Sequence, residues 1–272
     1  MTDSPIRIAI TGAASGLGRE LALRWAREGA RVAIADLHAE RSVAVADEVV
    51  ARGGEALVHR CDVRRTEDLE TLVAACRRAW GGLDVFVSNA GIAGGGTFET
   101  ITDEQWLSVL DIDLMGVVRG ARAVVPLFKA QGSGTLVNVA SMAGLLAPPG
   151  MASYNVAKTG VVALSETLHG ELSPFGIRVV CVCPSFFQTN LLESLETSDA
   201  AMRESFERLL RSSELTAADV AERIFASVAG REFLCLPHPK GRDALEQKRH
   251  DYPAYLAEME RIGRSRVRKT ER

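Results

Sequence analysis

At 272 residues with 47% hydrophobic side chains, the chain can bury a sizeable core, in one large α/β domain or two small ones. Its formal net charge of -3 argues against nucleic acid as the main partner, because neutralising phosphates takes a basic surface. The opening "MTDSPIRIAITG" has no basic stretch ahead of a long apolar core, and no run of about 18 apolar residues occurs, so the expectation is a soluble, cytoplasmic protein with no membrane partner.

Short apolar runs rich in Val and Ile alternate with longer segments of helical period. "IRIAIT" precedes a predicted helix over 17–29, "RVAIA" one over 39–52, "EALVHR" one over 66–80, and "LDVFVS" one over 103–131. "GTLVNVA" then leads into 152–173, "IRVVCVC" into helices reaching about 230, and "EFLCL" closes the series. Near-continuous hydrophobic strands, each followed by a helix, indicate a doubly wound, Rossmann-like α/β fold. Its parallel sheet has about seven strands, with helices on both faces. No linker splits this alternation, so residues 1–240 read as a single catalytic domain, with a substrate lid around 186–215. Residues 241–272 read as a helical or flexible extension ending in the basic "RIGRSRVRKTER".

After the first strand, "TGAASGLG" places Gly12, Gly16 and Gly18 at the opening of a helix. Glycines let a backbone approach a pyrophosphate, and a helix N-terminus offers unpaired N–H groups. The spacing is G-x-x-x-G-x-G, and a bare tight turn is the competing reading. The second strand ends at Asp36, where a carboxylate can accept from ribose hydroxyls and would repel a 2′-phosphate. Ser15, ahead of Gly16, is not basic, so NAD is favoured over NADP. Arg19 and Arg41 are the nearby cations that could offset this, although both read as solvated helix faces.

Further along, Thr102 to Gln105 form a capping box for a helix whose apolar stripe is Trp106, Val109, Leu110, Leu114, Val117 and Val118. Asp113 falls inside that stripe. A buried carboxylate needs partners, so Asp113 is either a satisfied structural residue or part of an active-site relay. The strand "GTLVNVAS" ends at Ser141, on the sheet edge where ligands of open α/β folds bind. In "ASYNVAKTG", Tyr154 and Lys158 project to one side of a helix, with Val161 and Ser165 continuing that side. A phenol titrates near pH 10, and lowering it to about 7 takes roughly 4 kcal/mol. One ammonium at about 4.5 Å supplies nearly that at an effective dielectric of about 20. Lys158 is therefore expected to keep Tyr154 acidic enough for proton exchange with a substrate oxygen, with Ser141 donating to the same oxygen. Cys181 and Cys183 share a strand face and read as buried free thiols; with no ligand spacing among five cysteines and five histidines, no metal is expected.

Taken in order, "TGAASGLG", Asp36, "CDV" at 61–63, "SNAG" at 88–91, Ser141, "YNVAK" at 154–158 and "PSFFQT" at 184–189 resemble the short-chain dehydrogenase/reductase family, over roughly residues 6 to 237. The resemblance implies a nicotinamide-dependent alcohol dehydrogenase or ketone reductase with Tyr154 as general acid/base and Lys158 also bonding the nicotinamide ribose. It places the phosphates along Ile10 to Gly18, including Ser15 and Leu17, and puts Asp62 and Val63 by the adenine. Asn89, Ala90 and Gly91 line the cofactor, and Pro184 and Thr189 hold the carboxamide end. The family usually has Asn where Asp113 stands, with a main-chain carbonyl relaying a water to the lysine. Asp113 can keep that relay, or its charge can draw the ammonium away. Ser185 replaces a common Gly, which implies strain if φ is positive there and otherwise a changed turn. Ser88 replaces a common Asn.

In the resembling fold, Ala143, Leu145, Met151, Phe186, Phe187, Leu191 and Leu192 wall an apolar substrate cleft. The expected substrate is a hydrophobic secondary alcohol or its ketone, and the expected assembly a homodimer or homotetramer through 103–131 and 152–173. Alternatives are an NADP-dependent carbonyl or acyl-thioester reductase, and a nucleotide-binding sensor or scaffold without turnover.

Overall fold

The computed structural model describes residues 4–188, 195–197 and 200–270. In chain order the first half runs β1 (Arg7–Thr11), α1 (Gly16–Ala26), β2 (Arg31–Asp36), α2 (Ala39–Ala51), β3 (Glu55–Arg60), α3 (Thr66–Trp80), β4 (Val85–Ser88) and the two-residue β5 (Ala93–Gly94). Next come α4 (Asp103–Leu110), a π turn (Asp111–Met115), α5 (Gly116–Gln131), β6 (Gly134–Val139), the short α6 (Ala143–Leu146), α7 (Ala152–Leu172) and β7 (Ile177–Val182). The chain closes with β8 (Leu195–Glu196), α8 (Ala200–Arg211), α9 (Ala217–Gly230), β9 (Leu234–Cys235), α10 (Pro239–His250) and α11 (Tyr252–Thr270).

Seven strands form one parallel sheet in the order β3-β2-β1-β4-β6-β7-β9. The order reverses direction between β1 and β4, so the loops after those strands part and open a crevice at the carboxyl edge of the sheet. Strand periodicity distributes the core over both faces. Ile8, Ile10, Val32, Ile34, Val85 and Val87 pack on one side with Leu21, Val49 and Ile224 from α1, α2 and α9. Ala9, Ala33, Phe86 and Leu136 face the other, under Leu72, Val124 and Leu172 from α3, α5 and α7. Small alanines at the centre of β1 and β2 leave room there for the aromatic rings of Phe86 and Phe128, both fully buried.

Two departures from the sequence expectations have physical causes. The helix expected over 103–131 is interrupted by the π turn at 111–115, because seating the buried Asp113 requires the chain to bulge rather than keep a 3.6-residue ladder. Its start holds as expected: the Gln105 amide donates to Thr102 Oγ1 and the Thr102 amide to Gln105 Oε1. A second sheet pairs β5 with β8, two residues each, too short to leave a period in the sequence. The basic end is helical through Thr270.

Candidate active site

Gly12 and Gly16 adopt positive φ, 65° and 50°, which turn the chain from β1 into α1. Gly18 serves a different end, since a Cβ there would overlap the Gly12 carbonyl oxygen; its absence lets α1 press on the turn. Side chains from the next strands clasp this turn. The Thr11 hydroxyl accepts from the Asn89 and Ala90 amides at 3.0 and 3.1 Å, and Asn89 Nδ2 donates to the Thr11 carbonyl at 2.9 Å. Asp36 accepts from the Ala14 amide at 2.9 Å and the His38 amide at 3.0 Å, leaving its carboxylate at the rim of the crevice. Asp62 pairs with Arg64 at 2.7 Å, and this guanidinium holds its carboxyl below the usual range despite burial. Arg19 is engaged with Glu48 and Glu20 on α1 and α2.

The crevice is a cavity of about 570 Å³ that runs from this turn to the α7 helix. Gly12, Ser15, Gly16, Leu17, Asp36, Asp62, Val63, Asn89, Ala90 and Gly91 line one part of it, and Asp113, Tyr154, Lys158, Pro184 and Phe187 the other. Gly12 and Gly18, where a Cβ would clash, the start of α1 and a carboxylate lining the cavity form a set that fits a dinucleotide. Ile92, Ile112, Val139 and Ala140 also line the cavity, and an apolar residue at a strand end or within a helical segment carries no local mark of this. Thr189, Leu191 and Leu192 lie outside the described residues.

On α7, Tyr154, Lys158, Val161 and Ser165 are all buried along one side. Lys158 Nζ stands 5.5 Å from the centre of the Tyr154 ring, donates to the Val139 carbonyl at 3.1 Å, and lies 3.2 Å from Asp113 Oδ2. Asp113 is fully buried, with Oδ1 accepting from the Ile92 amide at 2.8 Å. Of the two expectations for this residue, the ammonium is drawn onto its charge. The consequence for Tyr154 corrects the sequence reading. Burial pushes its phenol above the ordinary value; Lys158 and a hydrogen bond from Ser141 pull it down, Asp113 pushes it up, and burial prevails. Lys158 itself is kept charged: burial lowers its affinity for a proton, but Asp113 and Tyr154 more than restore it.

Ser141 lies just past β6, its hydroxyl accepting from the Ala143 amide at 3.1 Å and facing the Pro184 carbonyl at 3.4 Å. Ala143, Met151 and Tyr154 share an apolar cluster with Leu195 and Phe206, against which Phe186 packs edge-on to Phe206 at 5.6 Å. Leu195 and Phe206 escaped the sequence reading because the segment joining them to the sheet has no regular period. Leu145 is a correction: it packs on the far side against Met142 and Leu245, since the turn of α6 carries it away from the cleft. Phe187 lines the cavity rather than joining this cluster. Ser185 is not among the described residues with positive φ, so the turn changes and the serine is unstrained. Cys181 and Cys183 are free and buried, with sulfurs 3.9 Å apart.

A family model described as short chain dehydrogenase matches residues 7–200. A 3-oxoacyl-[acyl-carrier-protein] reductase of Synechocystis is 34% identical over 197 residues, covering 72% of this chain and 80% of that protein. A cyclohexanol dehydrogenase of Acinetobacter is 35% identical over 191 residues, covering 70% and 76%. Among solved structures, a short chain dehydrogenase/reductase from Burkholderia phymatum in complex with NAD superposes with a TM-score of 0.86 at 31% identity, covering 93% of this chain and 96% of that one.

Proposed function

Because the chain belongs to the short-chain dehydrogenase/reductase family of oxidoreductases, we propose that it moves a hydride between NAD(H) and a hydrophobic secondary alcohol or its ketone. The observation that carries this reading is the single cavity in which Tyr154 and Lys158 meet the glycine turn and Asp36. A nicotinamide bound there supplies the hydride acceptor for oxidation and the donor for reduction. Tyr154 takes the hydroxyl proton of the alcohol, or returns one to the ketone oxygen. Ser141 holds that oxygen as its charge changes. The Lys158 charge lowers the cost of the phenolate, and Asp113 keeps Lys158 protonated while taking back part of that gain.

Asp36 supports NAD over NADP, since a carboxylate lining the cavity at the end of β2 accepts from ribose hydroxyls and repels a 2′-phosphate. The cluster of Met151, Phe186, Leu195 and Phe206 against Tyr154 supports a compact apolar substrate. The likeness to a 3-oxoacyl-[acyl-carrier-protein] reductase sustains a second reading, an acyl-thioester reductase using NADPH. A panel of secondary alcohols, ketones and 3-oxoacyl thioesters, screened with both cofactors at the reduced-nicotinamide absorbance band, separates the two. Turnover of apolar alcohols with NAD is expected; turnover confined to thioesters with NADPH would overturn the first reading.

A further inference from the structure

Residues 238–248 reach from the edge of the sheet to both loops that flank the reacting face. At 3.1 Å the Ser185 amide donates to His238 Nδ1. A ring nitrogen that receives an amide proton carries none itself, so the imidazole is neutral with its proton on Nε2. Nε2 is buried without a hydrogen-bond partner among the described residues. Phe187 flanks the ring, their centroids 6.4 Å apart. From α9, Arg223 binds the Pro237 carbonyl and turns its positive charge towards the same ring.

The helix that begins beside His238 holds the other loop. Gly241 lies so close to Met142 that a Cβ would come within 3.0 Å of its sulfur. Leu245 is buried with Met142 and Ala140, and Lys248 donates to the Leu145 carbonyl at 2.5 Å. The two loops also meet directly, where the Met142 amide donates to the Pro184 carbonyl at 2.9 Å.

We infer that His238 is a positioning residue, which as a neutral acceptor ties the 184–187 turn to the root of α10 while α10 itself grips the segment from Ser141 to Leu146. The spacing between the Pro184 wall of the cavity and the oxygen-binding Ser141 is thereby set from outside the cleft. Only the consequence for cofactor affinity rests on the dinucleotide reading above. Protonation would put a second donor opposite the Ser185 amide, so the contact exists above the imidazole's titration and is lost as pH falls through it. Burial lowers that titration below the ordinary histidine range, the Arg223 charge acts the same way, and the Phe186 backbone opposes both in part. The tie is intact at neutral pH and is lost only below the ordinary histidine range.

Hydrogen exchange of the 185–188 amides, in cofactor-free protein and corrected for intrinsic rates, tests this. Wild-type protection is expected to fall about tenfold between about pH 7.5 and a pH well below the ordinary histidine range. His238→Phe loses it at both values, whereas His238→Asn, which keeps a side-chain acceptor, retains protection without the pH dependence. In His238→Phe the dinucleotide Kd rises about tenfold, an effect on KM more than on kcat. Equal exchange in wild type and His238→Phe overturns the inference, and so does a wild-type profile flat with pH, which decides the matter should His238→Phe fail to fold. Exchange that changes as expected in a protein that binds no dinucleotide leaves the tie standing and removes the cofactor reading instead.

Discussion

The two walls of the crevice are held by different kinds of bond. On the amino-terminal side, Asp36, Thr11 and Asn89 contact main-chain groups of the glycine turn and the neighbouring strand ends, so the shape follows from parallel register and from positions where no Cβ fits. On the carboxyl-terminal side, Lys158 meets Asp113 from another helix, Ser185 meets His238 from 53 residues away, and Lys248 reaches Leu145 across 103 residues. The first wall is specified by sterics and tolerates almost no added volume. The second is specified by charge and proton position, which leaves its chemistry open to pH.

The largest effect is expected where the second wall meets substrate. Tyr154→Phe should lower kcat by about 10²- to 10⁴-fold in steady-state assays, with the dinucleotide Kd, measured by titration, nearly unchanged. Retained turnover would remove the acid–base role and with it the contrast between a binding wall and a reacting wall. Gly18→Ala probes the first wall. Its methyl group would overlap the Gly12 carbonyl, so thermal or denaturant unfolding should show a loss of about 1–3 kcal/mol together with weakened dinucleotide binding. A fully stable variant with unaltered affinity would mean that the turn is not sterically fixed.

Asp113→Asn gives the smallest and most discriminating change. Removing the negative charge takes away one of the influences that raise Tyr154 and Lys158. A phenol whose pKa falls becomes phenolate at lower pH, so the rising limb of alcohol oxidation should move down by about one pH unit, equivalent to about 1.4 kcal/mol. A limb that stays in place, or moves up, would show that the Asp113 charge does not raise Tyr154.

The first wall was largely legible in the sequence. Each of its strands has a run of Val, Ile or Ala, the glycines mark the turn, and Asp36 falls at the strand end where the register places it. The pairing of Tyr154 with Lys158 was legible for the same reason, because a four-residue separation on a helix fixes a common face. The direction of the phenol's shift was not, since it depends on how completely α7 is buried and on a carboxylate contributed by another helix. Leu145 misled because α6 is a single short turn, which leaves no period from which its direction can be read. Leu195 and Phe206 join the apolar cluster through β8 and α8, whose approach to β5 is a long-range event with no trace in local composition. His238 carries no mark in the sequence, because its partner is a backbone amide, and an amide is present at almost every position.

The five-residue π turn has a consequence for chain length. A wide turn amounts to one residue inserted into a regular helix, so deleting a single residue within 111–115 would heal the ladder between α4 and α5 and make a better helix. It would also rotate everything upstream by about 100°, turning Thr102 and Val109 off their present faces or swinging the carboxylate out of its pocket. Local regularity and the placement of one acid are thus in direct opposition at this spot, and the protein has settled the conflict in favour of the acid.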